Sequence, residues 1–374
     1  MDFQPSEMQR ELRDLARKIL EEQATPDRLR EIERGEVNFD GELWAALANA
    51  NLLGIAVPAE HGGMGQGFAE LAVLIEECGR AVAPVPAIPA LVGAALPIAR
   101  FGSDAQRSRW LARVAAGEAI LSCGLVEPVS EDPLAPLSRA TRAGAGWRLT
   151  GSKLGVAFGA QAERVLVTAA SDAGTGLGLF LVDPTAAGAS REDLVTTAFE
   201  PQVLLALDGV KVAADDVLVA PGPGGDAAAR WTVERVQVAL AAMQLGVCDR
   251  ALRMTAAYTS TREQFGRKIA TFQAVGQRAA NAYIDVECLR LVVQHAAWLL
   301  DEERPAAEEV AVAKIWAGDV GHRVSFAAQH LHGGMGVDVD YPLHRYCLWA
   351  KQLELTLGSS ADHLDRLGAA LAAS

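Results

Sequence analysis

The spacing of apolar residues along the chain changes twice. Through residues 1–117 apolar positions recur at intervals of three and four, the period of helices with one buried face. The opening MDFQPSEMQRELRDLARKIL sets Leu12, Leu15, Ile19 and Leu20 on one side of an amphipathic helix. FAELAVLIEECGRAV does the same with Leu71, Leu74, Ile75 and Cys78. HGGMGQG, His61 to Gly67, is a glycine-rich break between helices. From about Leu121 to Val219 the pattern shortens to β-rich runs: WRLTG, RVLVTAA, LGLFLVD and VLLALDGVKV. Turn residues punctuate them, AGAG before Trp147, DAGTG before Leu177 and the pair Asp208–Gly209. Beyond residue 228 come Ala-rich segments such as RWTVERVQVALAAMQLGVCDRALRMTAAYTSTREQF, long enough to pack as a bundle, with GPGG (222–225) as the linker before them. The expected fold class is therefore α+β: an N-terminal helical domain (1–117), a middle antiparallel β-domain of sandwich or barrel type (118–227) and a C-terminal helical bundle (228–374).

A chain of 374 residues, half of them hydrophobic, exceeds one ordinary core and fits two or three domains. The net charge of −13, with no basic patch, argues against nucleic acid as a partner and fits a soluble, cytoplasmic protein. Cys78, Cys123, Cys248, Cys288 and Cys347 are scattered and form no CxxC pair, as expected of buried thiols in a reducing compartment. The charged N-terminus reads as a helix, not a signal peptide. The uncharged run from Ala81 to Ala99 has the length of a membrane span. Pro84, Pro86, Pro89 and Pro97 interrupt it, so a buried loop with short helices is expected there. The glycines of GTGLG, Gly174 to Gly178, invite a nucleotide-loop reading, but no helix follows and a hairpin turn explains them better.

Several motifs follow one another in an order that resembles the acyl-CoA dehydrogenase family over nearly the whole chain: LLGIAVPAEHGGMG (52–65), EECGRAVAPVP (76–86), FGSDAQRSRWLARVAAGEAILSCGLVEP (101–128), GWRLTGSK (146–153), STREQFGRKIATFQAV (260–275) and HLHGGMGV (330–337). The resemblance implies a four-helix C-terminal bundle and FAD as cofactor. It also implies a reaction in which a carboxylate removes the α-proton of an acyl-CoA thioester while the β-hydrogen leaves as hydride to the flavin. In the family the flavin lies at a subunit interface, so each FAD is held by residues of two chains.

One half of that shared site is present. The arginine of R-x-x-F-G, which reaches the pyrophosphate of the neighbouring subunit's FAD in the family, is Arg262 here, and a planar guanidinium suits paired phosphate oxygens. Gln264 can donate to the same region and Phe265 supplies an apolar face; Ile269 and Phe272, about one and two turns onward on a similar face, could pack the adenine end. In HLHGGMG, Gly333 and Gly334 let backbone approach the cofactor, and His330 stands where the family commonly has glutamine, with Gln329 adjacent. His330 and His332 lack a third ligand and make a poor metal site.

The other half departs from the family. Its T-E-P-G-x-G-S-D is VEPVSED here, with Val126 in place of the flavin-bonding threonine, and its K-x-W-I-T-N is KLGVAF, with Gly155 and Ala157 in place of the tryptophan and threonine. WAKQLELTLGSS matches the segment that carries the catalytic glutamate, and Leu357 occupies the base position. Members that carry the base on an earlier helix place it 26 residues before the arginine, which is Val236 here. Glu234 and Glu354 are the nearest stand-ins, and for both an ion-paired or solvated role is expected. No catalytic residue is therefore assigned. The combination resembles the non-catalytic, beta-type subunits of actinobacterial heteromeric dehydrogenases acting on CoA esters of steroid side chains. It implies a homologous catalytic partner in a heterotetramer with two chains of each kind, acyl-CoA bound mainly by that partner, and an electron-transfer flavoprotein as acceptor. Two alternatives stay open: an active homomeric dehydrogenase with a relocated base, and a flavin-free scaffold protein. Asp338, Asp340 and His344 are candidates for interface contacts or capping.

Overall fold

A computed structural model describes residues 3–35, 37–130 and 132–373. Met1 and Asp2 of the opening amphipathic stretch and Glu131 of VEPVSED lie outside the described residues. Helices come first: α1 (Glu7–Gln23), α2 (Pro26–Arg34), α3 (Gly41–Asn49), α4 (Phe68–Ala81), α5 (Leu96–Phe101) and α6 (Asp104–Ala115). Strands follow: β1 (Leu121–Gly124), β2 (Arg139–Ala143), β3 (Gly146–Ala157), β4 (Arg164–Ser171), β5 (Leu177–Val182), β6 (Ala189–Leu194), β7 (Gln202–Val212) and β8 (Val217–Val219). Then come α7 (Pro223–Thr261), the two-residue strands β9 (Glu263–Gln264) and β10 (Arg267–Lys268), α8 (Gln273–Asp301), α9 (Ala307–His332), α10 (Leu343–Leu355) and α11 (Ser360–Ala373). The chain forms two compact units.

One unit comprises Glu31–Leu71 and Pro84–Gln237. Its strands form one sheet in the order β6-β7-β3-β2-β4-β5-β8, with β1 also paired to β4. Neighbours are antiparallel except that β1 and β2 both run parallel to β4. Alternating side chains of β3, β4, β5 and β7, among them Leu149, Val165, Phe180 and Leu205, make the core. The AGAG and DAGTG turns join β2 to β3 and β4 to β5, so GTGLG is a hairpin turn. Asp208–Gly209 is not a turn between strands. It lies inside β7, where the register against β3 shifts between Leu149 and Gly151. Gly209 takes a φ of +64° there and its N–H reaches the Thr150 hydroxyl at 3.3 Å, a β-bulge opened by a residue free to adopt that conformation. The proline-rich run becomes a π-helix, Ala87–Ala95, leading into α5, and all nine of its residues are buried. A Cβ on Gly93 would fall 2.3 Å from Cys123 Sγ, so the small residue lets this segment press on β1. Among the described residues no helix is long and apolar enough to cross a membrane.

The other unit comprises the chain up to Arg30, Ala72–Ala83 and the chain from Val238. Ser6 and Gln9 close a capping box at the start of α1, whose buried stripe is Leu12, Ala16 and Leu20. Leu15, expected on that stripe, is exposed, because the i, i+4, i+8 spacing turns it outward. The expected stripe of α4, Leu71, Leu74, Ile75 and Cys78, is buried. α4 crosses α7 closely: a Cβ on Gly79 would lie 2.1 Å from the Met243 carbonyl oxygen, and one on Gly246 1.9 Å from that of Glu76. α8, α10 and α11 pack on α9, so α11 adds a further helix to the bundle expected of four. The segment GPGG is not a linker: α7 starts at Pro223, whose fixed φ suits the first helical position.

A charged layer is packed among α1, α4, α7 and α8. Arg17 grips Glu77 through two hydrogen bonds of 2.9 and 2.6 Å. Arg13 lies 3.5 Å from Glu76 and Arg290 donates to Glu76 at 2.7 Å. Asp249 accepts from Arg80, and from Arg253 at 2.9 Å. Arg290 completes the links to Asp249 and Glu287, each at 3.5 Å.

Candidate functional site

α7 runs unbroken to Thr261, and the Arg262 N–H closes its last turn on the Tyr258 carbonyl at 2.9 Å. The chain then makes a tight hairpin. Phe265 and Gly266, at φ of +54° and +75°, form its turn, and Ile269 N–H bonds the Arg262 carbonyl at 2.9 Å. The helical spacing expected from the sequence therefore does not relate Phe265 to Ile269 and Phe272. The hairpin does it instead, turning Phe265 edge-on to Phe272 at 6.3 Å, with the Arg267 guanidinium 4.0 Å above the Phe272 ring. Phe265 is 91 % exposed, Gln264 is exposed, and Ile269 and Phe272 are half-buried. The exposed Arg262 guanidinium has no hydrogen bond or ion pair among the described residues.

HLHGGMG ends α9. Gly333 adopts φ +61° and both it and Gly334 are exposed, with no atom within 4 Å of where a Cβ would stand. His330 is exposed and its ring stacks near Phe326 at 6.5 Å. His332 is buried: Tyr258 stacks on its ring at 4.4 Å, its Nδ1 donates to the Ala328 carbonyl at 2.8 Å, and Tyr341 meets Nε2 at 3.2 Å. Burial lowers its pKa. Asp338 accepts from the Asp340 N–H at 2.9 Å, and the Tyr341 carbonyl lies 2.8 Å from His344 Nδ1, so both residues shape the turn before α10. Among the described residues no group of three or more His, Cys, Asp and Glu is placed to hold a metal ion.

The loop between α10 and α11 carries Leu357, 5 % exposed and held at φ +59°, a left-handed conformation unusual for leucine. A buried cation fixes it. Lys314 of α9 donates to the carbonyls of Leu353 at 3.0 Å, Glu354 at 2.9 Å and Gly358 at 3.0 Å. These are the orphan acceptors of the end of α10 and the loop beyond it. Nε2 of His363 donates to the Leu357 carbonyl at 2.9 Å. Burial brings the Lys314 pKa down to about 7. Burial, with the nearby Lys314 charge second, takes His363 to about 4. The motifs did not reveal Lys314; its only signal was one lysine amid the small and apolar residues AVAKIWA.

The two stand-in carboxylates sit in different surroundings. Glu354 bonds Lys351 at 2.5 Å. Glu234 is half-buried, and burial raises its pKa against the pull of Arg230 and Arg235. It stands two residues before Val236, roughly 200° around the helix, and Val236 is buried.

In the sheet unit, the Val126 carbonyl accepts from Leu154 N–H at 2.9 Å, a bridge that needs no side-chain hydroxyl. Its neighbour Glu127 is buried. Glu127 accepts from Lys153 Nζ at 2.7 Å, Leu137 N–H at 2.6 Å and Ser138 N–H at 3.1 Å. Burial opposes ionisation of the Glu127 carboxyl, but Lys153 and the Ser138 hydrogen bond outweigh it and hold the pKa low. Gly155 has φ +65° at the register shift of β3 against β7, a conformation that strains any larger residue. The Ala157 carbonyl accepts from Ser122 Oγ at 2.5 Å. Around these positions VEPVSED and KLGVAF supply backbone and a buried ion pair, and the side chains of Val126 and Ala157 donate no hydrogen bond.

The chain resembles known proteins along nearly its whole length. Residues 6–118 match the model of the acyl-CoA dehydrogenase N-terminal domain and residues 224–372 that of the C-terminal domain. The chain is 40 % identical to acyl-CoA dehydrogenase FadE27 of Mycobacterium tuberculosis, over 100 % of this chain and 99 % of that one. Among solved structures it superposes with a TM-score of 0.94 and 39 % identity on a chain of the ChsE4-ChsE5 complex from Mycobacterium tuberculosis, covering 100 % of both. A Tcur3481-Tcur3483 steroid ACAD variant gives 0.91 at 45 % identity, with 98 % of this chain and 99 % of that chain covered. The chain belongs to the acyl-CoA dehydrogenase family.

Proposed function

We propose that the chain is the non-catalytic subunit of a heteromeric, FAD-dependent acyl-CoA dehydrogenase. In this reading it completes the FAD site of a homologous catalytic partner, and the substrate is the CoA ester of a steroid side chain. The observation that carries the reading is the contrast within one unit: a buried, left-handed Leu357 at the base position, and an exposed Arg262 whose guanidinium is unpaired among the described residues. Leucine accepts no proton, so this chain supplies no base at that loop. Arg262 and the other proposed residues suit a phosphate-bearing cofactor. Its guanidinium has donors to offer, Gly333 and Gly334 present open backbone, and Phe265 and Phe272 offer apolar faces. FAD, when bound, would supply the hydride acceptor. Arg262, Gln264, Phe265, Ile269, Phe272, His330, Gly333 and Gly334 would hold it from this side. The relatives named as a two-component complex and as a steroid ACAD support the heteromer and the substrate class. An electron-transfer flavoprotein is the expected acceptor, and the two-chains-of-each-kind stoichiometry belongs to the same proposal.

The test is to purify the chain alone and together with its partner, and to record the visible spectrum of each. Flavin and acyl-CoA-dependent bleaching only in the co-purified complex are expected. A yellow homo-oligomer that bleaches with acyl-CoA would favour the active homomer, and a colourless complex the flavin-free scaffold.

A further inference from the structure

The charged layer opens onto a cavity of about 350 Å³ that no residue of the proposed FAD site borders. It lies between the end of α1, the start of α2 and the end of α4, and α7 and α10 each contribute one residue. Its polar lining sets Arg17, Arg80, Arg250 and Tyr346 against Glu21 and Glu77.

The donors there exceed their partners. Arg17 is committed to Glu77 by two hydrogen bonds. Arg80 reaches Asp249 through Nη1, while its Nε is buried without a hydrogen bond, 3.9 Å from Glu77. Arg250 has the Tyr346 hydroxyl as its hydrogen-bond partner, and that hydroxyl donates onward to the Arg80 carbonyl at 3.0 Å. The charges do not balance either. Arg13, Arg17, Arg80, Arg253 and Arg290 share the four carboxylates Glu76, Glu77, Asp249 and Glu287. Arg250 and the exposed Glu21 add one charge of each sign at the cavity. One positive charge is left over, in a chain whose net charge is −13. α2, nine residues long, starts at the cavity wall with Thr25 as its cap, adding the positive end of its dipole. Forked guanidinium donors with a surplus charge, in a partly closed cavity, match a tetrahedral oxyanion better than chloride or water.

We propose that this cavity binds a phosphate group, held by Arg80 and Arg250. The source is free phosphate or a phosphate monoester, since the volume leaves room for more than the ion.

Isothermal titration calorimetry of the full chain, in the assembly in which it purifies, tests this. Inorganic phosphate and, separately, AMP are titrated against sodium chloride of matched ionic strength. Saturable binding of phosphate, weakened about tenfold or more in Arg250→Gln, is expected from loss of a charge-assisted hydrogen bond. Glu21→Gln removes the opposing exposed carboxylate and is expected to tighten binding several-fold, a result that damage to the fold would not produce. AMP binding as tightly as phosphate assigns the ester as the ligand, and phosphate alone assigns the free ion. No saturable heat with either, or affinities indifferent to both substitutions, overturns the proposal.

Discussion

The ammonium of Lys314 lies 3.0 Å from the carbonyl oxygen of Gly358, the residue directly after Leu357. This fully buried cation does what a solvated loop end would otherwise leave to water, satisfying three carbonyls at once. Lys314→Met would leave those acceptors buried and unpaired. A loss of about 2–4 kcal/mol is expected by denaturant unfolding. A loss under about 0.5 kcal/mol would show that the loop does not depend on the cation.

His363 makes the same loop sensitive to acid. Its pKa falls from the ordinary 6.5 to about 4 in the folded chain, so the unfolded chain binds the proton more tightly. Stability is therefore expected to fall as pH drops from about 6.5 to about 4, by about 3–4 kcal/mol at most from this group. Comparing unfolding of the wild type and His363→Gln across that window reads it: the slope should flatten in the variant, whose amide can still donate to the Leu357 carbonyl.

The Glu127–Lys153 pair anchors VEPVSED to β3. Lys153→Met leaves a buried carboxylate with backbone partners alone and should cost about 3–5 kcal/mol. Glu127→Gln combined with Lys153→Met should cost less than Lys153→Met alone, because no charge is stranded. Melting of the three variants measures the difference, and equal losses for single and double variants would refute the stranded charge as the cause.

Arg262 is free of fold-stabilising partners among the described residues, so its substitution should spare folding. In the co-purified complex, Arg262→Gln should weaken flavin retention about tenfold or more, with Arg262→Lys intermediate, because a point charge cannot grip two oxygens. Flavin content after dialysis reports this, and full retention in Arg262→Gln would remove it from the cofactor site.

Glu234→Gln and Glu354→Gln should each change turnover of the complex less than twofold. A loss of a hundredfold or more at either would identify a relocated base and end the half-site reading.

Periodicity and turn residues were enough to place the helix–sheet–helix order, because both act over a few residues. The α4 stripe was legible for that reason, and so was the GTGLG turn. Leu15 is as apolar as the α1 stripe yet lies outside it, because a surface helix needs only about every fourth residue inside. Asp208–Gly209 has the composition of a turn, and a bulge uses the same residue types. Ile269 and Phe272 have helical spacing from Phe265, but the helix stops at Thr261.

The sequence by itself determined what is chemically possible at each position: no carboxylate at 357, no hydroxyl at 126, a guanidinium at 262. Those are properties of single residues and need no partner to be known. The tertiary structure alone decided which groups are left unpaired. Lys314 meets carbonyls 39 to 44 residues away, Lys153 meets Glu127 at a separation of 26, and Arg80 meets Asp249 at 169. Pairing over such distances depends on how helices and strands pack, and no local pattern encodes it.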